Sequence, residues 1–266
     1  MQAGIGEAVD IPVKEREYDV AFLGTYRNEK EIERQIEASD EVVKNVTYSM
    51  LEILLQEPGL TLEEAFDRVL VTNGIRLPEN AYADTMNAMH LADKYVRALY
   101  RRLAVKSLVE QGIRVDVWGE RWEEIKPTLS KPELLKVHKP VSYRETVGIY
   151  RNAKVVLNVM PWFKDGSHER VFTAMRNGAV CLTDESRYLK ETLNSYKSVG
   201  FFSLSEISKL PEKIRAFLAV DEQGSVTVDG TQFVIEEALK ESMETAEKCH
   251  TWEKNAEWIL NRGKKL

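Results

Sequence analysis

The chain is short of cysteine, histidine and long apolar runs, and each shortage removes a class of function. It has two cysteines in 266 residues, Cys181 in an apolar strand-like run and Cys249 in a helical one. Without metal-like spacing they read as reduced thiols of a cytoplasmic protein, not as a disulfide framework. Four histidines give no ligand set for a structural or catalytic metal. No apolar stretch approaches the roughly 18 residues that a bilayer span requires, and the N-terminus lacks the basic-then-apolar pattern of a secretion signal. Asn45-Val46-Thr47 is therefore read as a chance sequon. Excess positive charge is missing too. A net charge of -6 argues against non-specific binding to nucleic acid, although a local basic spot for one small anion remains compatible with it. P-loop, dinucleotide Gly-rich turn and nucleophile elbow are all absent.

What is present is an ordinary globular balance, 43% hydrophobic and 30% charged, enough for one large core or two modest ones. Residues 1–17 are mixed and polar, and Tyr18 to Thr25 is a short apolar run stopped by Gly24, read as a buried strand and a tight loop. From Glu29 to about Gln111 the apolar residues recur at three- and four-residue steps, as in helices. Breaks fall at Pro58-Gly59, Asn73-Gly74 and Pro78-Glu79, with Thr61 and Glu64 forming a capping box. Leu91 to Val109 reads as a long amphipathic helix with Tyr95, Leu99, Leu103 and Leu108 on one side.

Beyond Gly112 the pattern changes to apolar runs at 115–118, 134–138, 154–159, 179–183 and 199–202, alternating with helical stretches near 142–152, 168–177, 186–195 and 205–219. Alternation of this kind gives a parallel sheet with helices on both faces. A closing helix is expected from Thr231 to about Asn261. The organisation is thus a leader and first strand (1–28), a helical block inserted after that strand (29–111), and a Rossmann-like region with a C-terminal helix (112–266).

Ligands of such sheets bind outside the carboxyl ends of the strands, which directs attention to the loops beginning at Gly24, Gly119, His138, Met160 and Asp184. The richest runs from Met160 through Trp162, Asp165 and Ser167 to Arg170. Ser167 suits an N-cap and puts His168, Glu169 and Arg170 in the first turn, where free N–H groups and the positive dipole end attract an anion. His168 and Arg170 can add charge-assisted hydrogen bonds to a diphosphate. Equally, Ser167 and Glu169 can simply cap the helix while the two basic residues are solvated. Gly24-Thr25 and Gly119 permit close backbone approach, to a phosphate or to a neighbouring domain. Trp118 and Trp122 suit either stacking on a base or the core. His138 and Lys139 follow the third strand, where backbone groups can read a base edge and Lys139 can reach a phosphate. Asp184-Glu185 is either a turn with a helix start or a ligand pair.

The run from Leu157-Asn158 through His168-Glu169-Arg170-Val171-Phe172-Thr173 to Thr183-Asp184 resembles the C-terminal donor domain of CgeB-like (spore maturation protein) glycosyltransferases, relatives of the glycosyltransferase group-1 families. Tyr18 to Gly24, Val115 to Gly119 and Cys249 to Glu253 support the likeness, which covers nearly the whole chain. The resemblance implies the Rossmann-like C-terminal half of a GT-B enzyme, holding a nucleotide-diphosphate sugar without a required metal or other cofactor. It places the start of the helix at His168 to Arg170 against the donor diphosphate. His168 and Arg170 become the candidate catalytic residues, and Gly24, Thr25, Gly119, His138, Lys139, Ser167, Glu169 and Thr173 the candidate nucleotide-sugar contacts. Retaining relatives carry one carboxylate just before this helix and another inside it. The matching positions here fall near Asp165 and at Thr173.

The expected partners are a nucleotide sugar and an acceptor of unknown identity. GT-B enzymes also need an N-terminal acceptor domain, so the chain is read either as one domain of a longer parent, which Met1 to Ile5 as mid-protein sequence favours, or as a small relative whose helical block replaces that domain. The alternative, which Thr173 motivates, is a non-catalytic nucleotide-binding or scaffolding module that keeps this half fold. The helical block is, on a further reading, a partner or oligomerisation surface.

Overall fold

The computed structural model describes residues 3–6, 11–161 and 163–263. Its centre is a parallel sheet of β1 (Tyr18–Leu23), β2 (Val115–Trp118), β3 (Leu135–His138), β4 (Ala153–Asn158), β5 (Val180–Asp184) and β6 (Val199–Phe202), in the order β3-β2-β1-β4-β5-β6. Strand order reverses between β1 and β4, the switch point of a doubly wound sheet. Successive residues of a strand face opposite ways, so β1 sends Val20 and Phe22 to one core and Ala21 and Leu23 to the other. The second face is covered by α6 (Thr146–Arg151), α7 (Glu169–Arg176) and α8 (Arg187–Leu193).

The first face belongs to the helical block, α1 (Glu29–Glu37), α2 (Glu41–Gln56), α3 (Leu62–Thr72), α4 (Glu79–Ala88) and α5 (His90–Glu110), together with α9 (Leu210–Leu218). The block shares its core with the sheet: Ile36, Met50, Phe66 and Val69 lie in the same buried cluster as Phe22 and Val117. The capping box forms, with Thr61 accepting from the Glu64 amide and the Glu64 carboxylate accepting from that of Thr61. Two breaks have no glycine or proline to mark them. Asp40 starts α2 by accepting from the Val43 amide, and Met89 separates α4 from α5.

Three expectations need correction. On α5, Leu108 is buried, but Tyr95, Leu99 and Leu103 are half exposed, and Val96, Tyr100, Ala104 and Val105 are buried instead. This helix packs against the sheet and against helices to its sides, so more than one stripe is covered. The N-cap of α7 is His168, with extended backbone; the Ser167 hydroxyl donates to the His168 carbonyl and so caps nothing. The closing helix does not begin at Thr231. There β7 (Ser225–Val228) and β8 (Thr231–Val234) form an antiparallel hairpin whose two-residue turn has Asp229 at φ 47 and Gly230 at φ 78. Asp-Gly is the pair that such a mirror-image turn demands. Only then come α10 (Ile235–Cys249) and α11 (Trp252–Gly263), separated at His250, with Thr251 accepting from the Lys254 amide. Trp162 of the β4–α7 loop and the leader residues 1–2 and 7–10 lie outside the described residues. No helix among the described residues is long and apolar enough to cross a membrane.

Burial separates the two cysteines. Desolvation pushes the Cys181 thiol up to about 12, whereas Cys249 is exposed. A thiol reagent at neutral pH should titrate one thiol in the native protein and both after denaturation, with Cys249→Ser silencing the native signal. Rapid native modification of Cys181 in that variant would contradict this core.

Candidate functional site

A cavity of about 440 Å³ opens at the carboxyl ends of β1 and β2, beside the start of α7. Its floor begins with a junction of two glycines. The ladder continues past the strands, as Gly24 N–H donates to the Trp118 carbonyl (2.9 Å) and Tyr26 N–H to that of Glu120 (3.0 Å). A Cβ on Gly119 would lie 2.2 Å from the Gly24 oxygen, so close packing of backbone on backbone requires glycine there. Fully buried Trp122 locks the junction by donating from Nε1 to that oxygen at 2.6 Å.

A second wall comes from α5. A 21-residue helix is about 31 Å long, whereas the six residues of β1 span about 20 Å. Since α5 runs back to the start of β2, its N-terminal half projects beyond the carboxyl edge of the sheet. Lys94, Arg97 and Arg101, spaced i, i+3 and i+7, share one face of that half, and all three line the cavity. Arg27 from the loop after β1 and Arg170 from α7 bring the basic groups to five. Arg97 pairs with Asp93 one turn earlier. Burial, then the charges of Arg170 and Arg97, push the Arg101 guanidinium down to about 9. The same wall holds Asp93 above its usual range, chiefly through burial, which outweighs the attraction of Arg97.

The third wall is α7 with two tyrosines. Glu169, Arg170 and Thr173 line the cavity with Tyr143 and buried Tyr150. The Tyr143 hydroxyl is raised by burial, against a hydrogen bond to Thr173 that lowers it. Glu169 belongs to a pair: His168 Nδ1 lies 2.5 Å from its Oε2, while the Arg170 amide is 3.4 Å from the same nitrogen. The shorter contact holds the proton, so Nδ1–H donates to Glu169. Burial drives the His168 imidazole below its usual range despite that bond. Burial works against Glu169 ionisation, but the His168 hydrogen bond and the neighbouring positive charge bring its carboxyl below the ordinary value. The pair is neutral imidazole with ionised carboxylate.

The β4–α7 loop is fixed from below. Lys164 and Asp184, both buried, form an ion pair at 2.6 Å, and the other Asp184 oxygen accepts from the Met160 amide, also at 2.6 Å. Lys164 also donates to the Glu185 carbonyl at 2.9 Å, and Ser186 to that of Gly166 at 2.7 Å.

Of the residues expected at the site, Gly24, Thr25, Gly119, Glu169, Arg170 and Thr173 are brought together around the cavity. The others lie elsewhere. His168 stands behind Glu169, and Ser167 is buried against the His168 carbonyl. His138 stacks on Trp118 with ring centroids 4.4 Å apart and bonds through Nε2 to buried Asp116 at 2.8 Å. Lys139 is exposed outside the lining, although the adjoining Pro140 belongs to it. Asp165 is exposed and tied to Arg187. Asp184 is a structural anchor, not half of a ligand pair; among the described residues no three His, Cys, Asp or Glu side chains converge as a metal site would need. The α5 stripe was not among the expected contacts. Its signal was three cations on one face of a helix in an acidic chain, where an isolated helix would show only a solvated side.

A family model described as "Glycosyl transferase-like" matches residues 97–261, from within α5 to within α11. Among solved structures, the chain is similar to TarM (12% identity, TM-score 0.44, covering 61% of this chain and 31% of that one). The GtfA/B complex gives 14%, 0.41, 61% and 31%, and AviGT4, a glycosyltransferase involved in avilamycin A biosynthesis, 15%, 0.37, 57% and 45%. The chain spans less than half the length of each. These likenesses concern the fold alone, and no residue role passes from them. No curated protein matches the chain.

Removing the Lys164 charge while keeping its length leaves Asp184 buried and uncompensated. Lys164→Met should lower stability in denaturant unfolding by about 3–5 kcal/mol, and adding Asp184→Asn should restore part of it. An unchanged midpoint in the single variant would show that the pair does not hold the loop.

Proposed function

The chain belongs to the glycosyl transferase-like family, and we propose that its cavity holds the diphosphate of a nucleotide-sugar donor during glycosyl transfer. The observation that carries this reading is the convergence of five basic side chains on one cavity at the carboxyl ends of the strands, in a chain whose net charge is -6. A diphosphate there meets the positive end of the α7 dipole together with the Arg170 guanidinium. As the glycosidic bond breaks, charge develops on the leaving nucleoside diphosphate, and these fixed groups stabilise it without having to reorganise. Positive charge supplied by side chains in this way supports metal-independent transfer. Gly24, Thr25 and Gly119 form the surface on which the donor lies, and Thr173 with Tyr143 supplies neutral hydrogen bonds beside it.

His168 acts on Glu169, not on substrate: it is a positioning residue that keeps the carboxylate ionised and aimed. With Glu169 so committed, the acceptor's base comes from outside the lining described, and an acceptor-binding domain elsewhere in a longer protein would supply it. The closer kinship proposed is with the CgeB-like group. Thr173, standing where retaining relatives carry a carboxylate, favours a second reading, a module that binds nucleotide without transferring sugar.

Calorimetry with UDP, GDP and their sugars tests the site directly. One nucleotide should bind, and Arg170→Gln should weaken it about 10–100-fold, the loss of a charge-assisted hydrogen bond of about 1.5–3 kcal/mol. Absence of heat with every nucleotide at millimolar concentration would remove the donor reading. Binding without turnover or hydrolysis of any donor by the full-length protein would select the second one.

A further inference from the structure

One polar group of the cavity wall has no partner within the protein. Tyr150, in α6, is 2% exposed, and its ring belongs to the second-face core with Leu23, Trp118 and Phe172. Its hydroxyl end belongs to the cavity: the residue lines it, and the side chains of Arg170, Glu169 and Tyr143, all in the same lining, act electrostatically on the phenol. Burial is the largest influence and raises the phenol well above its ordinary range against the pull of Arg170, so the group is a neutral O–H donor. Among the described residues this hydroxyl makes no hydrogen bond. A buried phenol ordinarily finds a partner, and one left without it bears the full desolvation cost of the group. Phenylalanine would fill the same core without that cost. The hydroxyl is therefore accounted for by what enters the cavity.

The neighbours of that hydroxyl specify the group it meets. Tyr143 and Thr173 bring further hydroxyls to the same wall and Glu169 an ionised carboxylate, whereas Lys94, Arg97 and Arg101 stand on α5. A carboxylate repels a phosphate but accepts from a hydroxyl, and a neutral O–H donates to an oxygen that carries no charge. Donor and acceptor side by side match a ring whose hydroxyls each give and take a hydrogen bond. We propose that Tyr150 is a specificity-determining residue whose phenol donates to a hydroxyl oxygen of the transferred sugar. The inference rests on the donor reading above. It divides the cavity by chemistry, with the start of α7 and Arg170 for the diphosphate and the wall of Tyr150, Tyr143 and Glu169 for the uncharged sugar.

The test is a calorimetric titration of the whole chain and of its Tyr150→Phe variant with UDP, UDP-glucose, GDP and GDP-mannose. Because the phenol has no bond within the protein to lose, the ligand-free variant should melt at the native temperature or above it. Affinity for the nucleotide sugar that the native chain binds should fall about three- to tenfold, the loss of one neutral hydrogen bond, and that fall should exceed the fall for the matching nucleotide. A variant that binds the nucleotide sugar as the native chain does overturns the proposal, and so does a lowered melting temperature, which would give the phenol a role in the fold. Equal losses for nucleotide and nucleotide sugar put the bond on the nucleotide, its ribose included, and overturn the sugar contact. A native chain that binds a nucleotide but neither nucleotide sugar overturns it as well, and in all these cases nucleotide binding itself still stands. A native chain that binds none of the four removes the donor reading, and this inference falls with it.

Discussion

The position of α7 depends on an ion pair that no solvent reaches. Lys164 and Asp184 join the β4–α7 loop to the end of β5, and the same aspartate takes the Met160 amide where that loop begins. A buried pair of this kind repays desolvation only when its remaining hydrogen bonds are met, and here the Glu185 carbonyl accepts from the lysine as well. The other end of the helix is tied to the N-terminal segment. Arg176 donates to the Gly4 carbonyl at 3.1 Å and Asn177 to that of Ile5 at 2.8 Å, while Gly4 N–H reaches the His250 carbonyl at 3.0 Å. Gly4 crosses α7 so closely that a Cβ would lie 2.4 Å from the Phe172 carbonyl carbon. An eight-residue helix held at both ends delivers Glu169, Arg170 and Thr173 to the cavity at fixed positions.

The basic wall is held differently. Lys94, Arg97 and Arg101 sit on a long helix whose inner side is anchored by Val96, Tyr100, Ala104 and Leu108, so hydrophobic burial on one side offsets like-charge repulsion on the other. Asp93 eases that repulsion at Arg97 without entering the cavity lining. Placing four of the five cations on helices means that little backbone freedom remains to be lost there when an anion arrives. Arg101 is shifted downward first by burial and then by its arginine neighbours, and only the second of these causes is one that a bound anion opposes.

Legibility in the sequence followed the range of the physics involved. Strand runs such as Val115–Trp118 were readable because a strand buried on both faces is apolar throughout, and Thr61 with Glu64 because a capping box is complete within four residues. The hairpin at Asp229-Gly230 carried a local signal that the adjoining helical pattern overrode. Ser167 was misplaced by one residue because its hydroxyl has two outlets, the backbone ahead and the carbonyl beside it, and propensity does not choose between them. His138 was drawn away from the cavity by Asp116 and Trp118, residues on a neighbouring strand whose register local pattern does not determine. Lys164–Asp184 and the convergence of α5 with α7 are long-range pairings of this kind.

An acidic surface around a basic cavity also has a consequence for selectivity. The chain's net charge repels polyanions at a distance, while low-dielectric walls concentrate the positive potential at the cavity mouth. A small anion small enough to enter reaches that potential within about one Debye length, roughly 8 Å at physiological salt. The same arrangement makes the glycine junction at the floor consequential: with Gly119 packed on Gly24 and Trp122 beneath, the floor does not yield, so the ligand's charges must come to the walls. Rigidity of the floor and confinement of the cations together fit the compact anion of the proposed donor.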